Sequence, residues 1–332
     1  MRSSASLTAF AVISCSVVAL AIACGGSDPD SGFGSSGGGA SGGTSNGGTS
    51  GGGTSSFGGT SNGGTSGTSG ASGTSGGVDS GSCFAPVDMY IVFDKSGSMG
   101  EPFGNGLPGD CNVGETKNSK WCKAINALSG YLKSPAAKDQ AAALQFFSGA
   151  DNANCGTGDP YDTPALPAAG YTTLPSNTFD TVLNSTVPGG ATPIEAALRG
   201  LTTFTAANRR PGHVTIGILV TDGDPQGCST NLTNLSGIID AHFAATKIRT
   251  YVIGMEGATF SNLERIAAGG NAPPHPATVG TLTNACGNVP APCKFWNVGS
   301  GDPAGFIQAL AAIQESADGC KPGGGVVNPG PK

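Results

Sequence analysis

Three short segments carry oxygen-bearing side chains at spacings that could hold a metal ion. The first, Asp94-Lys95-Ser96-Gly97-Ser98, closes an apolar run. In a chain that stays nearly extended, residues i, i+2 and i+4 point to one side, so Asp94, Ser96 and Ser98 would present three oxygens together. The second, Gly189-Gly190-Ala191-Thr192-Pro193, places a Thr hydroxyl just before a helix. The third, Val220-Thr221-Asp222-Gly223-Asp224, puts a carboxylate at the tip of the most apolar strand of the chain. Two carboxylates and three hydroxyls make an all-oxygen set. Such a set suits a hard cation such as Mg²⁺, with Mn²⁺ or Ca²⁺ as variants, and would not hold Zn²⁺ or Cu²⁺ selectively. Asp224 is one further acid nearby and reads as a solvated loop residue rather than a sixth ligand.

The same residues argue against catalysis. Ser98 lies in Gly97-Ser98-Met99-Gly100, which lacks the Gly-x-Ser-x-Gly elbow of serine hydrolases. A triad also needs a histidine base. His213 begins a strand, His242 falls mid-helix, and His275 lies among prolines, so none is placed by sequence to serve Ser98. The chain therefore reads as a non-enzyme. Sixteen Lys and Arg against 22 Asp and Glu give a net charge of −6, with no basic stripe to bind nucleic acid.

The elements that must position these residues alternate. Strands are expected at 86–93, 141–147, 171–174, 213–221, 248–254 and 295–298. Helices are expected at 118–134, 178–183, 193–207, 232–246, 260–268 and from 302 to about 316, with Pro193 in the first turn of its helix. Strands apolar on both faces that alternate with helices mean a mainly parallel sheet between two helix layers. In such a sheet, ligands bind where loops leave the carboxyl ends of the strands. All three oxygen-bearing segments fall there.

On those residues the sequence resembles the von Willebrand factor type A domain, over about residues 86–317. The family's metal-ion-dependent adhesion site is Asp-x-Ser-x-Ser, then a Thr, then an Asp, and these map onto Asp94, Ser96, Ser98, Thr192 and Asp222. The resemblance implies a Rossmann-like three-layer αβα sandwich whose six-stranded sheet has one short antiparallel edge strand. It implies a divalent cation that keeps an open position for a Glu or Asp carboxylate of a protein partner. A structural or assembly scaffold with no metal-dependent ligand is the alternative. Family members enter the first helix directly after the position of Met99. Here residues 100–117 intervene, and they should lie beside the site.

The remainder of the chain concerns delivery. Residues 7–23 form an apolar stretch too short to span a membrane, which reads as the core of a secretory signal. It ends Leu20-Ala21-Ile22-Ala23-Cys24, similar to a bacterial lipoprotein signal, with Cys24 as the acylated mature N-terminus after removal of residues 1–23. Residues 25–82 hold 24 Gly, 16 Ser and 7 Thr, and so offer almost no apolar surface to offset ordering entropy. They read as a disordered tether before a domain at 83–320 and a disordered tail at 321–332. The expectation is an exported protein, lipid-anchored in the bacterial cell envelope, at the outer membrane or cell surface. Of ten cysteines, Cys15 leaves with the signal and Cys24 carries lipid. The other eight allow 105 pairings. Proximity favours Cys111 with Cys122 and Cys286 with Cys293. Cys83 and Cys320 flank the domain, which leaves Cys155 with Cys228.

Overall fold

The computed structural model describes residues 85–101, 111–149, 155, 160–299 and 301–317. The expected signal, Cys24, the tether, Cys83, Cys320, the tail and residues 102–110 of the insertion lie outside the described residues.

Six strands form one sheet: β1 (Val87–Asp94), β2 (Ala141–Phe147), β3 (Thr172–Thr173), β4 (Val214–Thr221), β5 (Arg249–Gly254) and β6 (Trp296–Asn297). Their order is β3-β2-β1-β4-β5-β6. Neighbours run parallel except β3, which lies antiparallel on β2. β1 is central: Ile91 lies beside Leu144 on one side and Ile218 on the other. All eight of its residues are buried, as its uninterrupted apolar run requires of a strand covered on both faces.

Met89, Ile91 and Phe93 face one helix layer, made of α1 (Lys120–Leu132), α2 (Phe179–Ser185) and α6 (Pro303–Ala317). Tyr90 and Val92 face the other, made of α3 (Ile194–Ala207), α4 (Leu232–Thr246) and α5 (Phe260–Gly269). Aromatic pairs lock both faces. Phe93 meets Trp121 edge-on at 5.7 Å, and Tyr90 stacks on Phe204 at 4.0 Å. The fold is thus a mixed α/β sheet, mostly parallel with one antiparallel edge, between two helix layers. Pro193 differs from its expected place: it is the N-cap of α3 at φ −76°, and the helix begins at Ile194.

The chain leaves β1 for the first layer and leaves β4 for the second. A crevice therefore opens where these adjacent strands part at their carboxyl ends. Disulfides fasten the loops around it. Cys111–Cys122 ties the end of the insertion to the first turn of α1, and Cys155–Cys228 ties the β2–β3 segment to the loop after β4. Cys286–Cys293 closes a loop before β6.

Two packing features give tests. A Cβ added at Gly200 would lie 2.4 Å from the Tyr161 carbonyl carbon, and that carbonyl accepts the Tyr90 hydroxyl at 2.5 Å. Helix propensity alone favours Gly200→Ala by about 1 kcal/mol. Backbone overlap opposes it by about 1–3 kcal/mol, so the variant should be less stable on chemical denaturation. A stabilised variant would contradict the close approach. His242 is buried with Nε2 3.0 Å from the Thr205 hydroxyl. Burial, and then the charge of Arg209, hold its pKa below the ordinary 6.5. The unfolded chain takes up the proton first, so stability falls as pH drops through the ordinary value and levels off below the folded one. His242→Gln should flatten that acid limb in denaturation curves taken between pH 8 and pH 5.

Candidate metal centre

Asp94 ends β1 with its side chain fully buried. The chain does not stay extended beyond it, which corrects the alternation argument. Ser96 N instead donates to Asp94 Oδ1 at 2.7 Å, and residues Gly97–Gly100 coil into a single 3-10 turn. A turn therefore gathers Asp94, Ser96 and Ser98, because a side-chain acceptor two residues back offers the backbone a closer partner than any strand. Ser96 Oγ lies 3.1 Å from Ser98 Oγ, and Ser98 Oγ donates to Asp222 Oδ1 at 2.8 Å. The one Ser98 proton is committed to that carboxylate, so Ser96 is the donor in the first contact.

Asp222 follows β4 directly and is 1% exposed. Thr221, the last residue of β4, donates its hydroxyl to Asp94 Oδ2 at 2.6 Å. Both oxygens of Asp94 thus accept hydrogen bonds. Burial nevertheless pushes the Asp94 carboxyl up to about 7, and the charge of Asp222 adds to the rise, against the bonds from Thr221 and Ser96. Asp222 Oδ2 faces the Lys120 ammonium and has no other hydrogen-bond donor among the described residues.

Thr192 joins through its loop. Gly189 N donates to Lys95 O at 2.6 Å, and Gly97 N donates to Gly190 O at 3.0 Å, so two glycine-bearing loops zip together. Gly190 sits at φ +91° with Gly149 backbone beside it, a position that admits no side chain without strain. Thr192 O accepts from Gln226 N at 2.9 Å, and a Cβ on Gly223 would meet Thr192 Oγ1 at 3.1 Å. The Thr192 hydroxyl is therefore packed against the residue after Asp222. All five sequence-picked residues gather at the one crevice between β1 and β4.

The donor set fits a hard divalent cation. It is all oxygen, its two carboxylates are buried, and Asp222 lies close enough for its charge to add to the rise at Asp94. Asp224 accepts from Thr259 N, Thr259 Oγ1 and Asn262 Nδ2, and so braces the start of α5 rather than lying free in solvent. No triad forms among the described residues. His213 Nδ1 lies 2.9 Å from Asp88 Oδ1 at the opposite end of the sheet, and His242 pairs with Thr205. His275 stacks on Trp296 at 3.7 Å.

Two residues at the site escaped the sequence reading. Thr221 had a signal, since it precedes Asp222 at a strand end. Lys120 had only an oddity, a cation in the first turn of a helix, where the dipole disfavours it. The insertion returns beside this lysine: Lys120 N donates to Glu101 O at 2.8 Å, and Cys122, two residues on in the same turn, is disulfide-bonded to Cys111.

No curated protein matches the sequence. Among solved structures, proximal thread matrix protein 1 from the mussel byssus aligns at 15% identity and a TM-score of 0.41, over 71% of this chain and 49% of that one. This chain thus spans about half the length of the mussel protein. The pilus adhesin SpaC from Lactobacillus rhamnosus GG aligns at 15% identity and a TM-score of 0.46, over 70% of this chain and 31% of that one. The PilB minor pilin from Streptococcus sanguinis aligns at 13% identity and a TM-score of 0.43, over 71% and 62%. Over residues 166–285, the stretch that carries Thr192 and Asp222, the chain matches the family model of the von Willebrand factor type A domain.

Proposed function

We propose that this chain is an exported, lipid-tethered binding module. Asp94, Ser96, Ser98, Thr192 and Asp222 hold a divalent cation, Mg²⁺ ahead of Mn²⁺ or Ca²⁺, and an acidic side chain of a protein partner completes the site. One observation carries the reading: two buried carboxylates from different strand ends, Asp94 held by Thr221 and the Ser96 amide and Asp222 by the Ser98 hydroxyl, meet at the carboxyl edge of a doubly wound sheet. Burying two like charges together is costly unless something compensates them.

The residues divide the work. Thr221 and the Ser96 amide hold the Asp94 carboxylate in one orientation. The Ser96–Ser98–Asp222 chain fixes where the serine protons point and leaves oxygen lone pairs free. A bound divalent ion would supply an electrophilic position suited to a carboxylate. Three disulfides among the described residues support an oxidising compartment, in keeping with the signal and Cys24. A passive envelope scaffold is the second reading, and the Lys120–Asp222 pair favours it, because the site is partly self-neutralised.

Melting the mature chain in millimolar Mg²⁺ and in EDTA tests the proposal. Mg²⁺ should stabilise the protein by about 2.7 kcal/mol at a hundredfold excess over Kd, and Asp94→Ala and Asp222→Ala should each abolish that shift. Equal melting temperatures in the two buffers would favour the scaffold. For the tether, mass spectrometry of the native N-terminus should find an acylated Cys24, and Cys24→Ser should release the protein from membranes. An unmodified first residue other than Cys24 would refute the anchor.

A further inference from the structure

Lys120 stands where two general rules disfavour it. It is the first residue of α1, at the positive end of the helix dipole, and its side chain is only 8% exposed, which strips water from the ammonium. Two groups compensate. Nζ lies against Asp222 Oδ2 and donates to the Glu256 carbonyl at 2.9 Å. Gly257, at φ +116°, leaves the space: a Cβ there would sit 3.0 Å from Nζ and 2.7 Å from the Asp222 carbonyl oxygen. The acceptors come from the loops after β4 and β5, whereas the lysine comes from α1. Three separate segments thus converge to seat one cation on a candidate metal ligand.

We propose that Lys120 is the built-in counter-charge of the site, which neutralises Asp222 in the metal-free state and so lowers the affinity for divalent cations. The inference rests on the metal-binding reading above. Two carboxylates and one ammonium leave a charge of −1, and a dication brings it to +1. Without the lysine the loaded site would be neutral. Lys120 thus trades metal affinity for a positive loaded site, which is the state that attracts an anionic partner group.

The test titrates the full mature protein with Mg²⁺ alone, by calorimetry, for the wild type, Lys120→Met and Lys120→Gln. Melting in EDTA and in Mg²⁺ is followed alongside. Removing a positive charge from beside a dication should tighten Mg²⁺ binding about tenfold or more. Both variants should melt lower than the wild type in EDTA and gain more from Mg²⁺. A lysine that merely positions Asp222 predicts the opposite sign, because a released carboxylate would weaken Mg²⁺ binding. Lys120→Gln keeps an amide donor while removing the charge, and it carries the test if the methionine variant fails to fold. Unchanged or weaker Mg²⁺ binding in a folded variant, with the wild type binding, overturns the counter-charge role and leaves the metal reading standing. Binding by neither wild type nor variants overturns both. Binding by the variants alone supports the role outright.

Discussion

Everything at the carboxyl edge of the sheet answers to one electrostatic constraint: Asp94 and Asp222 are buried side by side. Each carboxylate has lost its water, and at Asp94 burial and then the charge of Asp222 raise the cost of ionisation. The fold meets the constraint in parts. Hydrogen bonds from Thr221, Ser96 and Ser98 take up three of the four carboxylate oxygens, and the Lys120 ammonium takes the fourth. Neutral donors reduce the cost without removing the charge. A site built this way retains negative charge at a crevice, which is the condition for attracting a cation.

The surrounding backbone is arranged to keep that edge in one geometry. Loops after β1 and before α3 are zipped by reciprocal amide bonds, and Gly190, which carries no side chain, lets the Gly149 backbone after β2 pack beside the second of them. The loop after β4 is fastened on one side to Cys155 through Cys228, and on the other to α5 through Asp224. These attachments lie at the rim of the hydrophobic core, where Cys228 packs against its edge, so they add positional order where packing alone gives little. Loops that hold ligands on a rigid parallel sheet are a general solution, since the strands fix the loop ends and leave the tips free to vary.

The insertion between β1 and α1 fits the same scheme. Its two described ends meet at the first turn of α1, through the Glu101 carbonyl and the Cys111–Cys122 disulfide. That turn carries Lys120. An insertion anchored at this point fixes the start of the helix, and with it the only ammonium that touches Asp222 among the described residues.

Much of this was legible in residue order. Continuous apolar runs and period-3.6 patterns placed the strands and helices, because burial on both sheet faces or on one helix stripe is written locally in the choice of apolar residues. The segments around Asp94, Thr192 and Asp222 could be singled out for the same reason, as each interrupts an apolar run with oxygen at a strand or helix end. Tertiary structure decided what lies between them. The turn at Ser96 replaced the expected extended chain, since a backbone amide found a carboxylate two residues away. Thr221 became a donor to Asp94 only because β4 lies beside β1, and Lys120 became the partner of Asp222 only because α1 starts beside the first residue after β4. Sequence records local preference well, but charge pairing depends on distance in space. Residues 120 and 222 share no local pattern by which the chain could announce that they meet.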